Sequence, residues 1–157
     1  MSDSRTLLLS IRPKHAALIF SGEKAFELRR VRPKIVPGDR VLIYVTAPEM
    51  SLLGGFEVSE LLEDSATRLW RSVGTRSGLL RTDFMRYFEG CESAFAIGVR
   101  KKWRLPRGIG LNQLRKRVPG FLPPQSYWYL SERMSETLLK MAWTESGMPR
   151  QRTGATT

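Results

Sequence analysis

Short β-type segments follow one another along this chain with few helices between them, and this order most strongly limits the folds it can adopt. The segment 40–47, RVLIYVTA, comes directly after a Pro-Gly-Asp turn and is almost continuously apolar, which is typical of a buried strand. The whole pattern predicts the order β-α-β-β-β-α-α-β-β-α. Because most consecutive strands have no crossover helix between them, we expect an α+β fold, a small, mostly antiparallel β-barrel with flanking short helices and an added C-terminal helix.

The chain has 157 residues, which suits one domain with a substantial core. We expect this single domain to span 1–147 and the polar segment 148–157 to be a disordered tail. The added helix is predicted at about 131–143, with Ser131 as its N-cap. Its apolar face is predicted to comprise Met134, Leu138 and Met141.

Several classes of protein are disfavoured by composition. No run of 18 apolar residues is present, so we expect no membrane association, and the N-terminal segment MSDSRTLLLS does not resemble a secretory signal. Cys91 is the one cysteine and His15 the one histidine, so neither a disulfide nor a Cys/His zinc site can form within one chain. We interpret His15 as a packed or surface residue. We therefore expect a cytoplasmic protein with no bound metal and no cofactor.

Positive charge is concentrated in one part of the chain. Lys and Arg total 26 against 15 Asp and Glu, a net charge of +11, and no acid occurs between Ser93 and Ser131. A one-sided basic surface favours a polyanion partner such as nucleic acid, although basic loops can also serve solubility alone. Alternation predicts a strand at 93–105, and we predict that a basic loop at 100–117 contacts backbone phosphates. The candidate phosphate-binding residues are Arg100, Lys101, Lys102, Arg115, Lys116 and Arg117.

The segment 21–30, SGEKAFELRR, places several charges close together behind a small-residue turn. In a regular strand Glu27 and Arg29 share one face, and Lys24 joins them if it still lies in the turn after Gly22. One interpretation is a surface Glu27–Arg29 pair, worth about 0–1 kcal/mol and without function. The other is a site in which the carboxylate accepts from a base amino group while a cation holds a phosphate or carbonyl.

Five segments in order resemble the ASCH domain, a member of the PUA-like superfamily of small β-barrels. These are LLLSIRP, IFSGEKAFELRR, GDRVLIYVTAP, GGFEVSELLEDS and PPQSYWYL, and the similarity runs from about 7 to 130. The family's G-x-K-x-x-E-x-R pattern is present as Gly22, Lys24, Glu27 and Arg29. The resemblance implies a cleft beside the first helix, lined by the strand of this pattern, and a ligand such as RNA or a flipped, often modified base.

Some small ASCH proteins are amidohydrolases that deacylate N4-acylcytidine. In those, a lysine matching Lys24 activates a threonine three residues later, with help from a later glutamate. This chain has Glu27 at the threonine position, and the segment ATRLWRSVGTRSG holds no acid. The nucleophile of that reaction is therefore missing. Other stand-alone members have been described as predicted transcriptional regulators.

The leading hypothesis is binding of RNA or a modified nucleotide in a pocket at the barrel mouth. Two alternatives stay open: a hydrolase, either an amidohydrolase on N4-acylated cytidine or a ribonuclease with Lys24 and Glu27 as acid and base, and a DNA-binding regulator. The alternating aromatics of 127–129 give one core side and one candidate base-stacking side. The candidate ligand-binding residues are Arg12, Lys24, Glu27, Arg29, Tyr44, Thr46, Gln125, Ser126 and Tyr127.

Overall fold

The computed structural model describes residues 5–145, so the predicted domain limit at 147 and the predicted tail at 148–157 lie outside the described range. The strands within it are β1 (Thr6–Ile11), β2 (Phe26–Arg29), β3 (Arg40–Val45), β4 (Ser51–Asp64), β5 (Ala94–Gly110) and β6 (Tyr127–Tyr129). The helices are α1 (Pro13–Ser21), α2 (Ala66–Val73), α3 (Arg81–Tyr87), α4 (Leu111–Arg117) and α5 (Glu132–Glu145). The predicted α+β class is confirmed. The element order differs from the prediction only by α4 and by a short 3-10 helix at Gly74–Arg76.

All six strands belong to one sheet, in the order β2-β5-β4-β3-β1-β6. Every neighbouring pair is antiparallel except β1 and β3, which are parallel. The two edge strands are β2 and β6, yet Arg29 in β2 donates a hydrogen bond to Ser126, one residue before β6. The sheet is therefore curled into a half-barrel whose edges approach each other. We call the line where they meet the seam.

Both faces of the central strands are buried, which explains their continuous apolar sequences. On the inner face, residues of β1, β3, β4 and β5 pack with Ala16 and Ile19 of α1. On the outer face, the alternate residues of β1 and β3 pack with α4 and α5. A third apolar cluster joins β2 and the start of β5 to α2 and α3. Helix α1 therefore fills the concave side of the sheet, beside the seam.

The predicted C-terminal helix is confirmed as α5. The Ser131 hydroxyl accepts a hydrogen bond from the Met134 amide at 3.1 Å, which satisfies one free donor of the first turn. Leu138 and Met141 are 0% and 2% exposed, and Met134 packs beside them. The helix thus covers the outer face of the sheet.

The predicted basic loop at 100–117 is wrong. Residues 100–110 continue β5, in register with β4 from Arg100 opposite Glu57 to Gly110 opposite Ser51, and the remaining residues form α4. The reason is that Leu105 and Ile109 are needed in the outer core, each 1–2% exposed. Burial of these alternate side chains and pairing with β4 outweigh the local density of charge.

No helix within residues 5–145 combines the length and apolarity needed to cross a membrane.

Candidate functional site

The turn between α1 and β2 carries the first charged group of the site. Gly22 caps α1 in the left-handed conformation, with φ of 89°, and its amide donates to the Ile19 carbonyl. This cap ends the helix and turns the chain so that Lys24 lies before β2, in the position that the charged-site interpretation requires. The left-handed backbone conformation therefore explains why the motif has a glycine at position 22.

Lys24 is almost completely buried, with 2% of its surface exposed. Its Nζ donates a 2.6 Å hydrogen bond to the Ser77 carbonyl, in the turn after α2. Gly78 in the same turn has φ of 75° and lies against the aliphatic stem, where a Cβ would come within 3.3 Å of the Lys24 Cβ. Burial lowers the pKa of the Lys24 ammonium, and Arg29 lowers it further, while Glu27 opposes both.

Glu27 and Arg29 form a buried pair rather than a surface pair. Glu27 Oε1 lies 3.7 Å from a terminal nitrogen of Arg29, and the two side chains are 11% and 14% exposed. Glu27 Oε2 and Arg29 Nε are buried, and neither has a hydrogen-bond partner among the described residues. Most buried polar atoms in folded proteins are partnered, so an acceptor and a donor of one ion pair that both lack a hydrogen-bond partner need an explanation. A bound polar ligand would supply both partners.

The seam brings one further predicted residue to this pair. Arg29 donates to the Ser126 hydroxyl at 3.1 Å, across the two edges of the sheet. The chain leading into β6 is fixed to β1, since the Ser10 hydroxyl donates to the Pro124 carbonyl at 2.6 Å and the Ser10 amide donates to the Ser126 carbonyl at 3.0 Å. Ser126 itself is exposed, so the pair meets solvent at the seam.

His15 joins the cluster, which sequence reasoning missed. Its pKa is lowered, first by burial and then by the positive charge of Lys24, while Glu27 raises it. The charges of Lys24 and Glu27 therefore both act on the imidazole. The His15 Nδ1 is buried with no partner among the described residues. The one available sequence signal was its position four residues before Ile19, on the buried side of α1.

Tyr87 of α3 also reaches this region. Its hydroxyl donates to the Leu28 carbonyl at 3.2 Å. Burial raises the pKa of this hydroxyl, while Arg29 lowers the pKa and Glu27 raises it by smaller amounts. No local pattern predicts that Tyr87, 59 positions after Leu28, lies beside β2, because that contact depends on α3 packing against the edge of the sheet.

The structure separates several other candidates from this cluster. Tyr44 is 3% exposed and packs in the outer core beside Phe121, on the opposite face of the sheet from Glu27. Tyr127 packs against the inner core, and Trp128 on the other side of β6 is 41% exposed. Thr46 follows β3, where its carbonyl accepts from the Glu49 amide. The remaining two candidates are both exposed, and these are Arg12 and Gln125.

The candidate phosphate-binding residues have different surroundings. Glu57 of β4 pairs with Arg100 at 2.9 Å and with Lys101 at 3.4 Å. Arg115 of α4 donates to the Phe121 carbonyl at 3.3 Å. All six of these candidate residues are exposed.

No group of three or more His, Cys, Asp or Glu side chains that could hold a metal ion is found within the described range 5–145.

Comparison with known proteins agrees with this architecture. The model of the ASCH domain matches residues 9–104. An ASCH domain-containing ribonuclease from Zymomonas mobilis subsp. mobilis is 31% identical over 139 residues, which cover 88% of this chain and 93% of that protein. The crystal structure of ASCH from Zymomonas mobilis aligns with a TM-score of 0.82 at 31% identity, over 88% of this chain and 96% of that one.

A hypothetical protein from Leishmania major has a TM-score of 0.60 at 16% identity, over 91% of this chain and 97% of that one, and so shares the fold alone. The expected small barrel-like architecture is confirmed by the Zymomonas structure, which extends over most of both chains. The family match covers most of the segments on which the resemblance was based, including the whole G-x-K-x-x-E-x-R strand. This chain belongs to the ASCH domain family.

Proposed function

We propose that this protein binds single-stranded RNA and holds one nucleotide at the seam, against Lys24, Glu27 and Arg29. The observation that carries the proposal is the largely buried Glu27–Arg29 pair, in which Glu27 Oε2 and Arg29 Nε have no hydrogen-bond partner among the described residues. A nucleobase edge offers amino donors and carbonyl or ring-nitrogen acceptors next to one another. It can therefore satisfy both atoms at once, which a simple anion cannot do.

The three side chains would divide the recognition between them. Glu27 accepts from an exocyclic amino group, while the Arg29 guanidinium donates to a neighbouring carbonyl or ring nitrogen. The Lys24 ammonium adds a buried positive charge that interacts with the Glu27 carboxylate and attracts a negatively charged strand. Because a base must be unstacked to present its edge in this way, single-stranded RNA or a flipped nucleotide suits the site better than a duplex.

The similarity of this chain to a protein named as a ribonuclease supports RNA as the ligand. The Zymomonas mobilis protein that is 31% identical to this chain is named an ASCH domain-containing ribonuclease, so RNA is the substrate of that relative. The net charge of +11 also favours a polyanion. A cytoplasmic location would suit this partner.

The Glu27→Gln variant tests which group reads the base. Glutamine has nearly the same size as glutamate but presents an NH₂ donor beside its acceptor oxygen. We expect the variant to bind RNA with a changed order of preference among the four homopolymers, measured by fluorescence anisotropy. The matched control is Glu60→Gln, an exposed residue of β4. An unchanged order of preference in Glu27→Gln would exclude Glu27 from base recognition.

The pH dependence of binding tests Lys24. Its pKa is lowered from the ordinary value of 10.5, with burial as the main cause, so its charge is lost at a lower pH than that of exposed lysines. As the pH rises above about 8, where histidine is neutral, RNA affinity should fall before the exposed lysines titrate. The Lys24→Arg variant keeps its charge over this range, and its affinity should stay constant. Identical pH profiles for the two proteins would contradict a contribution of the Lys24 charge.

RNA cleavage is a second candidate function, favoured by the position of His15. Burial and the charge of Lys24 lower the pKa of His15, which leaves the imidazole neutral and able to accept a proton near pH 7. In such a step His15 would take the proton of the 2′-hydroxyl as the 2′-oxygen forms its bond to phosphorus. The Lys24 ammonium would donate a proton to the 5′-oxygen as the bond between that oxygen and phosphorus breaks. Incubation of labelled RNA with the protein, in magnesium and in chelator, decides between binding alone and cleavage. Cleavage lost in the His15→Ala variant would place the hydrolase first.

A further inference from the structure

The basic residues of β5 divide into two kinds. Arg100 and Lys101 share the carboxylate of Glu57, at 2.9 Å and 3.4 Å. Their charge is already partly neutralised by the protein. Lys102 and Arg104 are exposed and have no acidic partner among the described residues. An anion at the surface therefore gains more from the second pair than from the first.

Lys102 lies beside the turn that carries the Lys24 motif. The Val99 amide donates to the Ala25 carbonyl at 3.0 Å, which aligns the turn antiparallel to the first part of β5. The consequence is that Lys102 Nζ lies 3.5 Å from the position that a Cβ would take on Gly22. Only one residue separates Gly22 from Lys24.

Arg104 is held on the same side of β5, against α1. Its guanidinium lies over the Phe20 ring, 5.4 Å from the centroid. This packing depends on Gly54, where a Cβ would meet the Trp103 carbonyl oxygen at 2.2 Å and a ring carbon of Phe20 at 2.8 Å. A glycine in β4 thus lets α1 approach the sheet, and the approach places an arginine beside the last turn of the helix.

We propose that Lys102 and Arg104 contact the phosphates of the RNA strand that flank the nucleotide bound at the seam. This inference rests on the proposed RNA-binding function and adds the path of the backbone, along the end of α1. The pair lies next to the turn of Lys24, carries two uncompensated charges and is exposed, whereas the site itself is buried. Two guanidinium or ammonium groups fixed outside a base-reading pocket suit phosphate contacts, which position a strand without reading its sequence.

Salt dependence provides the test, because each phosphate contact releases counterions. For single strands, log K falls against log salt concentration with a slope of about 0.7 per contact. We expect the Lys102→Gln and Arg104→Gln variants each to reduce the slope by about 0.7, and the double variant by about 1.4. The matched control is Lys101→Gln, which removes the same charge from the adjacent position of β5. Its slope should remain close to that of the unmodified protein, since Lys101 is paired with Glu57.

The outcomes separate the two proposals. If the unmodified protein does not bind an RNA oligonucleotide at any salt concentration, both are overturned. If it binds, and Lys102→Gln and Arg104→Gln behave like Lys101→Gln, only the phosphate path is overturned. A lowered melting temperature of Lys102→Gln with an unchanged slope would show that Lys102 only stabilises the C-terminal end of α1, and would also overturn the path. The same affinity for DNA of equal sequence would overturn RNA as the specific partner.

Discussion

Removal of every residue after Leu130 is expected to destabilise the protein by about 4 kcal/mol or more, because α5 contributes fully buried side chains to the outer core. Leu138 and Met141 are 0% and 2% exposed. Trp143 stacks on Trp103 of β5 with ring centroids 6.2 Å apart. Thermal unfolding followed by circular dichroism should show a loss of about 10 °C or more in the melting temperature.

A surface variant of the same helix provides the control. Lys140 is exposed on α5, so Lys140→Ala should change stability by no more than about 0.5 kcal/mol. A truncated protein that melts at the original temperature would contradict the packing of α5. Its apolar face would then have to serve a partner or a second copy of the chain.

The Lys24→Ala variant is expected to lose RNA affinity by about 5- to 150-fold, equivalent to about 1–3 kcal/mol. The reason is that it removes a buried positive charge that acts on Glu27 and on a bound nucleotide. Fluorescence anisotropy with a short RNA measures the change. Lys140→Ala, which removes an exposed lysine on the other side of the sheet, should lower affinity by less than about twofold.

Loss of packing must be separated from loss of charge in this experiment. Lys24 is 2% exposed, so alanine leaves a cavity and Ser77 loses the donor to its carbonyl. Lys24→Met fills the same space without the charge, and its melting temperature shows whether the fold is kept. Affinity close to that of the unmodified protein in a well-folded Lys24→Met would contradict any role of the ammonium in binding.

The local elements of this protein follow from short-range sequence signals. Pro13 and Gly22 mark the start and end of α1 because proline suits the first helical position and glycine adopts the left-handed cap. Ser131 and the spacing of Leu138 and Met141 predict α5. The alternation Phe26, Glu27, Leu28, Arg29 predicts which residues of β2 face the same way. The spacing of apolar residues and the capping of helices depend on residues close together in the chain, so no tertiary contact is needed to predict them.

The length of β5 could not be obtained in this way. Alternation predicts a strand only as far as Leu105, and the density of charge from Arg100 onward favours a loop. The strand is extended by its pairing with the long β4, which lies 40 and more positions away in the chain. This pairing also places Glu57 within ion-pair distance of Arg100 and Lys101. Which positive charges remain open to a ligand is therefore decided by strand register, a long-range property.

The sequence by itself determined the α+β class, the family resemblance and the G-x-K-x-x-E-x-R strand, since all three depend on local pattern. Only the tertiary structure decided that the strand is an edge of a curled sheet, where Arg29 meets Ser126 across the seam. It also buried Lys24 under the turn of Ser77, where its charge acts on His15 of α1. These contacts join residues far apart in the chain, and they exist because apolar side chains on both faces of the sheet fix α1, α2 and α3 around β2.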